Sequence, residues 1–151
     1  MHVSARADYA VRALVELAAG DSRSVNRAHL AASQHIPLKF LSNILQQLKT
    51  AGLVNTHLGS EGGYWLARPA EQITLADVIR AVDGPLANVR GEPPESVTYP
   101  GAAEPLRDVW IAVRASLRSV VERVTLADVA AGRLPARVAK LAEDPEAWVT
   151  R

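Results

Sequence analysis

The segment with the clearest chemical character is residues 38–51, where every polar side chain is an amide, a hydroxyl or a cation. Amides and hydroxyls exchange hydrogen bonds with base edges, and lysines neutralise phosphates or reach guanine. A solvated outer face is the alternative, because polar faces are common on amphipathic helices. The polar residues of the segment are Lys39, Ser42, Asn43, Gln46, Gln47, Lys49 and Thr50.

Patterns typical of catalytic and metal sites are missing from the sequence. The chain has no cysteine, which excludes thiol nucleophiles, disulfides, thiolate-bound zinc and all-cysteine iron–sulfur clusters. It also lacks a phosphate-binding Gly-Lys-Ser/Thr loop and an HExxH motif. We therefore expect no enzyme and no metal site. The four histidines lie in different predicted elements without ligand spacing: His2, His29, His35 and His57.

Two helices are predicted to precede the polar segment and to hold it in place. From Ser4, apolar residues fall on one helical face until Gly20 and Asp21 stop the pattern. A second, short helix is expected to start at Asn26, a good N-cap, and Pro37 suits the first turn of the third helix.

The third helix is predicted to pack through residues spaced i, i+3, i+4 and i+7, with Leu38 and Phe40 assisting. After Gly52, two short alternating runs surround a glycine-rich turn, which predicts a β-hairpin. Its glycines allow positive φ angles and close approach to a sugar-phosphate backbone, although a generic hairpin is the alternative. The packing residues are Leu41, Ile44, Leu45 and Leu48.

The second half of the chain begins with a helix that starts at Thr74, with Asp77 placed to bond back to the helix start. The same letters, TLADV, return at 125–129. Shared capping chemistry explains this repeat more simply than a duplication does, because the flanks do not match. Between Gly84 and Pro105, five prolines and three glycines predict a loop.

The longest helix is expected to cover about 19 residues from Leu106, with apolar spacings of four and three that are typical of a heptad seam. Packing within one monomer is the alternative, but the preceding elements supply little further apolar surface. We therefore expect a dimerisation helix, followed by an amphipathic C-terminal pattern. The expected interface residues are Leu106, Val109, Trp110, Val113, Leu117, Val120, Val121 and Val124.

Composition favours a globular, cytoplasmic protein. The 151 residues are 48% hydrophobic and 22% charged, which suits one folded domain, and no apolar run approaches the ~20 residues of a membrane span. The N-terminus is not a secretory signal, because charges interrupt its apolar pattern. Residues 1–70 hold seven Lys/Arg against four Asp/Glu, whereas residues 71–151 hold ten against twelve. Any nucleic-acid surface is therefore expected in the first half.

The ordered combination of SARADYAVRALVELA, IPLKFLSNILQQLKTAGLV, GSEGGYWLARP and ITLADVIRAVDG resembles the Rrf family of bacterial winged-helix regulators, which includes IscR, NsrR and CymR. The likeness covers roughly residues 1–131. It implies a mainly α fold with a small β-hairpin wing: a winged helix-turn-helix DNA-binding domain at 1–83, a loop at 84–105, and a dimerisation helix with a C-terminal helix or tail at 106–151. It also implies a homodimer that acts as a sequence-specific transcriptional regulator, a repressor, on a palindromic double-stranded DNA operator.

The resemblance places the DNA contacts at the start of the second helix, along the third helix and in the wing. Leu58 stands where many relatives have an arginine, and Glu61 adds a negative charge at the wing tip. We therefore expect weak minor-groove readout by the wing. The implied residues are Asn26, Arg27, Lys39, Ser42, Asn43, Gln46, Gln47, Lys49, His57, Gly59, Ser60, Gly62, Gly63 and Tyr64.

Cluster-binding relatives carry three cysteines in the loop equivalent to 84–105, and this chain has none there, so we expect no cofactor. Three modes of control stay open: a small-molecule effector near Tyr99 and Trp110, a partner enzyme bound to the dimer, or constitutive repression. Analogy with the cluster-free branch points to sulfur or cysteine metabolism, or to a stress response. The competing functions are a winged-helix protein-interaction module and a ligand-sensing regulator with a non-cluster effector.

Overall fold

The structure is a computed structural model that describes residues 2–21, 23–59 and 62–150. Its fold is mainly α-helical with one antiparallel hairpin, as predicted. None of the helices in these ranges combines the length and apolar character needed to cross a membrane. In chain order the elements are α1 (Ala5–Ala19), α2 (Arg27–Ser33), α3 (Leu38–Thr50), β1 (Val54–His57), β2 (Gly63–Leu66), α4 (Leu75–Asp83), α5 (Leu106–Val121), α6 (Leu126–Ala130) and α7 (Ala136–Glu143).

Helix α1 lies at the centre of the fold. The Ser4 hydroxyl caps it by accepting a hydrogen bond from the Ala7 backbone N–H at 2.9 Å. Its inner face is buried against α3, α4 and α6, so α6 shares one hydrophobic core with the winged-helix elements. The buried residues of α1 are Ala7, Ala10, Ala13, Leu14 and Leu17.

Both TLADV segments begin helices through the same capping box. The Thr74 hydroxyl accepts from the Asp77 N–H at 3.1 Å, and the Asp77 carboxylate accepts from the Thr74 N–H at 3.0 Å. Thr125 and Asp128 make the equivalent pair of bonds at 3.1 and 2.8 Å. Each box satisfies two backbone donors that a helix start otherwise leaves without partners.

The two capping segments also pair with each other in space. Thr74 and Thr125 form an isolated antiparallel bridge, in which the Leu75 N–H donates to the Val124 carbonyl and the Leu126 N–H to the Ile73 carbonyl, both at 2.9 Å. The two helix starts are therefore held side by side by backbone hydrogen bonds.

This bridge corrects the prediction for the long helix. Helix α5 ends at Val121 and covers 16 residues, because the chain then turns to reach the bridge. Val124 lies outside the helix and is only 3% exposed, so it does not continue an apolar seam on the protein surface. Leu126 is fully buried in the same core as α1, which ties the C-terminal part to the winged-helix part.

The segment from Gly84 to Pro105, where the sequence predicted a loop, joins the end of α4 to the start of α5. It contains two single turns of 3₁₀ helix, Pro94–Ser96 and Gly101–Ala103, of which the first packs against α5. Pro94 and Val97 are buried and anchor the loop. The segment at 84–93, which we call the strap, runs between α4 and the buried Pro94.

Candidate nucleic-acid interface

Helices α2 and α3 form a helix-turn-helix whose turn is fixed by backbone bonds. The Asn26 side-chain oxygen caps α2 by accepting from the His29 N–H at 2.8 Å, as the sequence predicted. His35 adopts a positive φ of 51°, and the Ile36 N–H then donates to the Ala31 carbonyl at 2.9 Å. Ile36 is buried, which holds the start of α3 against the core.

The inner face of α3 is as predicted: Leu41, Ile44, Leu45 and Leu48 are at most 2% exposed. The opposite side presents an exposed row at spacings i, i+4, i+7 and i+11, a row that follows one side of an α-helix. We call this row the α3 stripe. Lys49 is exposed on its flank. The stripe consists of Lys39, Asn43, Gln46 and Thr50.

Ser42 and Gln47 are less available than the α3 stripe. Both are half-buried, and the Ser42 hydroxyl donates to the Leu38 carbonyl at 2.9 Å. The Gln47 side-chain oxygen is buried without a hydrogen-bond partner in the protein. An amide buried on one side cannot turn fully outward, so Gln47 differs from Asn43 and Gln46 although all three were predicted to read bases.

The prediction that Leu38 and Phe40 assist core packing is wrong. Their exposed fractions are 46% and 61%: Leu38 is the first residue of α3, and Phe40 lies about 100° around the helix axis from Leu41, at the edge of the buried face. The Phe40 ring instead lies 6.4 Å from the Tyr9 ring on the surface between α3 and α1.

The predicted wing is the hairpin of β1 and β2, with Val54 opposite Leu66 and His57 opposite Gly63. Its tip includes Leu58, which is 97% exposed. Ser60 and Glu61, predicted as a DNA contact and as a repelling charge, lie outside the described residues. No cationic side chain is described at positions 58–59 or 62–63.

Two of the wing glycines serve the fold. A Cβ on Gly62 would lie 2.6 Å from the His57 carbonyl oxygen inside the hairpin turn. A Cβ on Gly63 would lie 3.0 Å from the Val25 carbonyl oxygen, because Val25 pairs with Tyr64 through two backbone bonds of 2.9 Å. Gly63 is buried by this pairing, so the close approach that its missing side chain allows is to Val25.

The remaining predicted contacts differ in accessibility. Arg27 is exposed beside the Asn26 cap, and His57 is exposed with its ring 5.4 Å from the Trp65 ring. Tyr64 is half-buried and packs against the core. Arg27 is thus free to extend the contact surface from the start of α2, whereas Tyr64 mainly holds the wing to the core.

The structure brings the two predicted effector residues together. The Trp110 indole N–H donates to the Tyr99 hydroxyl at 2.9 Å, and the Arg90 guanidinium lies 5.9 Å from the Tyr99 ring centre. Trp110 also lines a cavity of about 280 Å³ with Val113 and residues 87–90 of the strap. Within the described chain, the polar atoms of Tyr99 and Trp110 are therefore directed at each other.

Half of the predicted dimer seam faces the protein's own strap. Trp110 and Val113 line the cavity just described, and Leu117 and Val121 line a second one beside the N-terminus. Leu106 and Val109 lie on the open side of α5, with 38% and 48% of their surface exposed. Val120 is half-buried.

Sequence reasoning missed an ionic network between α4 and α5. Glu122 accepts hydrogen bonds from Arg80 and, at 2.8 Å, from Arg118. Both bonds lower the pKa of the Glu122 carboxyl below its usual value, and the bond from Arg80 has the larger effect. The i, i+4 spacing of Arg118 and Glu122 was visible in the sequence, whereas the partner from α4 was not.

The comparisons with known proteins agree with this geometry. The Rrf2 family, described as iron-dependent transcriptional regulators, matches residues 3–132. The chain belongs to this family. A Mycobacterium tuberculosis protein described as an HTH-type transcriptional regulator is 54% identical over 145 residues, which are 95% of this chain and 90% of that protein.

Two solved structures of Rrf2 regulators are similar over most of the chain. Bacillus subtilis CymR, the global cysteine regulator of that organism, has a TM-score of 0.73 and 27% identity over 87% of this chain and 98% of its own. IscR from T. potens has a TM-score of 0.68 and 28% identity over 100% of this chain and 93% of its own. This member of the Rrf2 family is therefore a winged-helix, DNA-binding transcriptional regulator.

The residues of this Rrf2 protein do not fit the iron that the family description implies. The chain offers no thiolate, and within residues 2–21, 23–59 and 62–150 no three His, Asp or Glu side chains come close enough to hold a metal ion. The loop at 84–105 instead contributes apolar contacts and Glu95, which accepts from Arg114 at 2.6 Å.

The packing of Gly63 generates a prediction for wing stability. Gly63→Ala should lower the free energy of unfolding by about 1–3 kcal/mol, because the added methyl group would press on the backbone of Val25. Gly20→Ala is a matched control, since a Cβ there would meet backbone atoms at ordinary distances of 3.6 and 3.8 Å. Urea unfolding of both variants measures the difference. Equal stability of Gly63→Ala and the unmodified protein would contradict the packing role.

Proposed function

We propose that this regulator binds a palindromic operator as a homodimer and represses the adjoining genes. The observation that carries the proposal is the exposed α3 stripe, which presents a lysine, two amides and a hydroxyl on a helix that contains no acidic residue and whose other side is buried. A rigidly packed helix with a polar outer face suits insertion into a major groove, where base pairs are fully distinguishable.

Asn43 and Gln46 are the proposed base readers, because both amides are exposed at the middle of the stripe. An amide can both donate to and accept from one adenine edge, which discriminates against other bases. Lys39 and Lys49, at the start and on the flank, are proposed phosphate contacts, and Arg27 adds a cation from α2. The wing, with Leu58 at its tip, is a minor contributor.

Amide and lysine variants should separate base readout from phosphate contact. Asn43→Ala and Gln46→Ala should each cost about 1–3 kcal/mol on an operator selected from a random-sequence pool, with little change on unrelated DNA. Lys49→Ala should weaken binding to every sequence alike and reduce the slope of log affinity against log salt by about 1.

The control for this experiment is Lys140→Ala, an exposed lysine on α7, which should change neither quantity. Fluorescence anisotropy over a range of salt concentrations measures both. Operator affinities of Asn43→Ala and Gln46→Ala equal to that of the unmodified protein would reject the α3 stripe as the reading surface. A winged-helix protein-interaction module, the rival function, predicts no salt-dependent DNA affinity at all.

The proposed dimer forms through the open side of α5. Leu106 and Val109 are large apolar residues that remain exposed in one protomer, and a two-fold dimer would present two copies of α3 to successive major grooves. On the other side of α5, its residues Trp110, Val113 and Leu117 face the strap.

A charge on the open side of α5 should break the dimer without unfolding the protomer. Val109→Asp is tolerated in a monomer, where the side chain is 48% exposed, but costs several kcal/mol when a dimer buries it unpaired. Ala115→Asp, exposed on a different side of the same helix, is the control. Sedimentation velocity should show monomers for Val109→Asp and dimers for Ala115→Asp. A dimeric Val109→Asp would move the interface elsewhere.

Two further parts of the proposal concern the regulated genes and the cofactor. Similarity to CymR, a cysteine regulator in its own organism, supports a role in cytoplasmic sulfur or cysteine metabolism. We also propose that the protein works without bound iron, because the chain has no cysteine and its described histidines and carboxylates form no group that could hold a metal ion. Elemental mass spectrometry of the anaerobically purified protein should find no stoichiometric iron, and one or more iron atoms per chain would overturn this proposal.

A further inference from the structure

Three arginines from two helices line one open cavity on the side of the strap. Arg80 comes from α4, and Arg114 and Arg118 come from α5. The cavity has a volume of about 500 Å³ and is completed by strap residues, among them Asn88, and by Glu95 from the turn that follows. We call it the arginine cavity. Its position between α4 and α5 separates it from the α3 stripe.

The charges at the arginine cavity do not balance. Glu122 accepts from Arg80 and Arg118, and Glu95 accepts from Arg114, so two carboxylates face three guanidinium groups. The pKa of the Glu95 carboxyl is lowered by a hydrogen bond from its own backbone and then by one from Arg114, so these bonds favour its charged form. One positive charge is left in excess.

The arginines also keep hydrogen-bonding capacity beyond these two carboxylates. The described bonds use one nitrogen of each guanidinium, and Arg80 and Arg118 share the same oxygen of Glu122. A guanidinium group carries five N–H donors in a fixed plane that matches the oxygens of carboxylates, sulfate and phosphate. Arg114 has only 23% of its side chain exposed, so its head group is held in place before a ligand arrives.

We propose that the arginine cavity binds a small anionic effector that carries a carboxylate or a tetrahedral oxyanion group. The anion replaces Glu122 on Arg80 and Arg118 and takes a further bond from Arg114. Displacing Glu122 costs little, because exposed ion pairs contribute weakly to stability. The anion can take bonds from more than one nitrogen of each guanidinium, whereas Glu122 uses one oxygen and one nitrogen of each arginine.

This inference rests on the proposed function only for its regulatory consequence. Arg80 belongs to α4, which packs against α1 and α3, whereas Arg118 and Glu122 belong to α5 and its C-terminal end. An anion that separates Glu122 from Arg80 therefore changes the connection between the helix-turn-helix unit and the proposed dimer helix. Such a change alters the distance or angle between two recognition helices and hence operator affinity.

Binding of the anion is tested first without DNA. Sulfate, inorganic phosphate and succinate are titrated into the protein by isothermal calorimetry at constant ionic strength, with succinamide as the uncharged analogue of succinate. We expect saturable binding of at least one anion and none of succinamide. Arg114→Gln and Arg118→Gln should weaken it about tenfold or more, as expected for the loss of a charge-assisted bond.

Arg107→Gln is the matched control, because Arg107 lies on the same helix, is 52% exposed and pairs with Asp108 away from the cavity. It should bind the anion as the unmodified protein does. Circular dichroism checks that each variant is folded. Absence of saturable binding for all three anions, or equal binding by Arg118→Gln and Arg107→Gln, would overturn the site.

Operator affinity is then measured with and without the bound anion at constant ionic strength. The anion should change operator affinity by about threefold or more in the unmodified protein. It should leave the operator affinity of Arg118→Gln unchanged. An anion that binds without changing operator affinity would reject the regulatory role while supporting the site. Failure of all DNA binding would reject the proposed function and leave the calorimetric result standing, so the two failures are distinguishable.

Discussion

Close packing of α1 against its neighbours is the constraint on which the other elements depend. Ala7, Ala10 and Ala13 are at most 1% exposed, and such short side chains let neighbouring backbones come near. Helices α3, α4 and α6 all pack on this one helix, together with β2. Helix α3, the wing and α6 are therefore positioned by one shared surface, and a larger residue at these alanines would displace several of them at once.

The features that the sequence could predict are those that depend on residues close together in the chain. Apolar spacing placed Leu41 and Leu48 in the core and left Asn43 outside, because the period of a helix decides this locally. Side-chain chemistry also predicted the Asn26 cap and the capping box at Thr74. These interactions join residues a few positions apart, so both partners can be recognised within one short stretch of sequence.

Features that failed or were missed involve partners far apart in the chain. The burial of Gly63 depends on Val25, and the ionic network depends on Arg80 reaching Glu122. The burial of the Gln47 oxygen and the exposure of Phe40 depend on how α3 is rotated about its own axis against the core. The apolar spacing of α3 fixes this rotation only to within about 100°, the angle of one residue. The sequence likewise predicted the apolar residues of α5 as one seam and gave no sign that Trp110 and Val113 would line a cavity with the strap.

The bridge between Thr74 and Thr125 determines how the segment between them can change in length. It closes a ring of about 50 residues that contains α4, the strap and α5, and its ends are fixed by two backbone hydrogen bonds and two capping boxes. The entropy of closing such a ring rises only by about 0.6 kcal/mol for each doubling of its length. Insertions and deletions inside the ring thus leave its ends joined at a small cost in closure entropy, so the loop at 84–105 can change in length while α1 keeps its packing against α4 and α6.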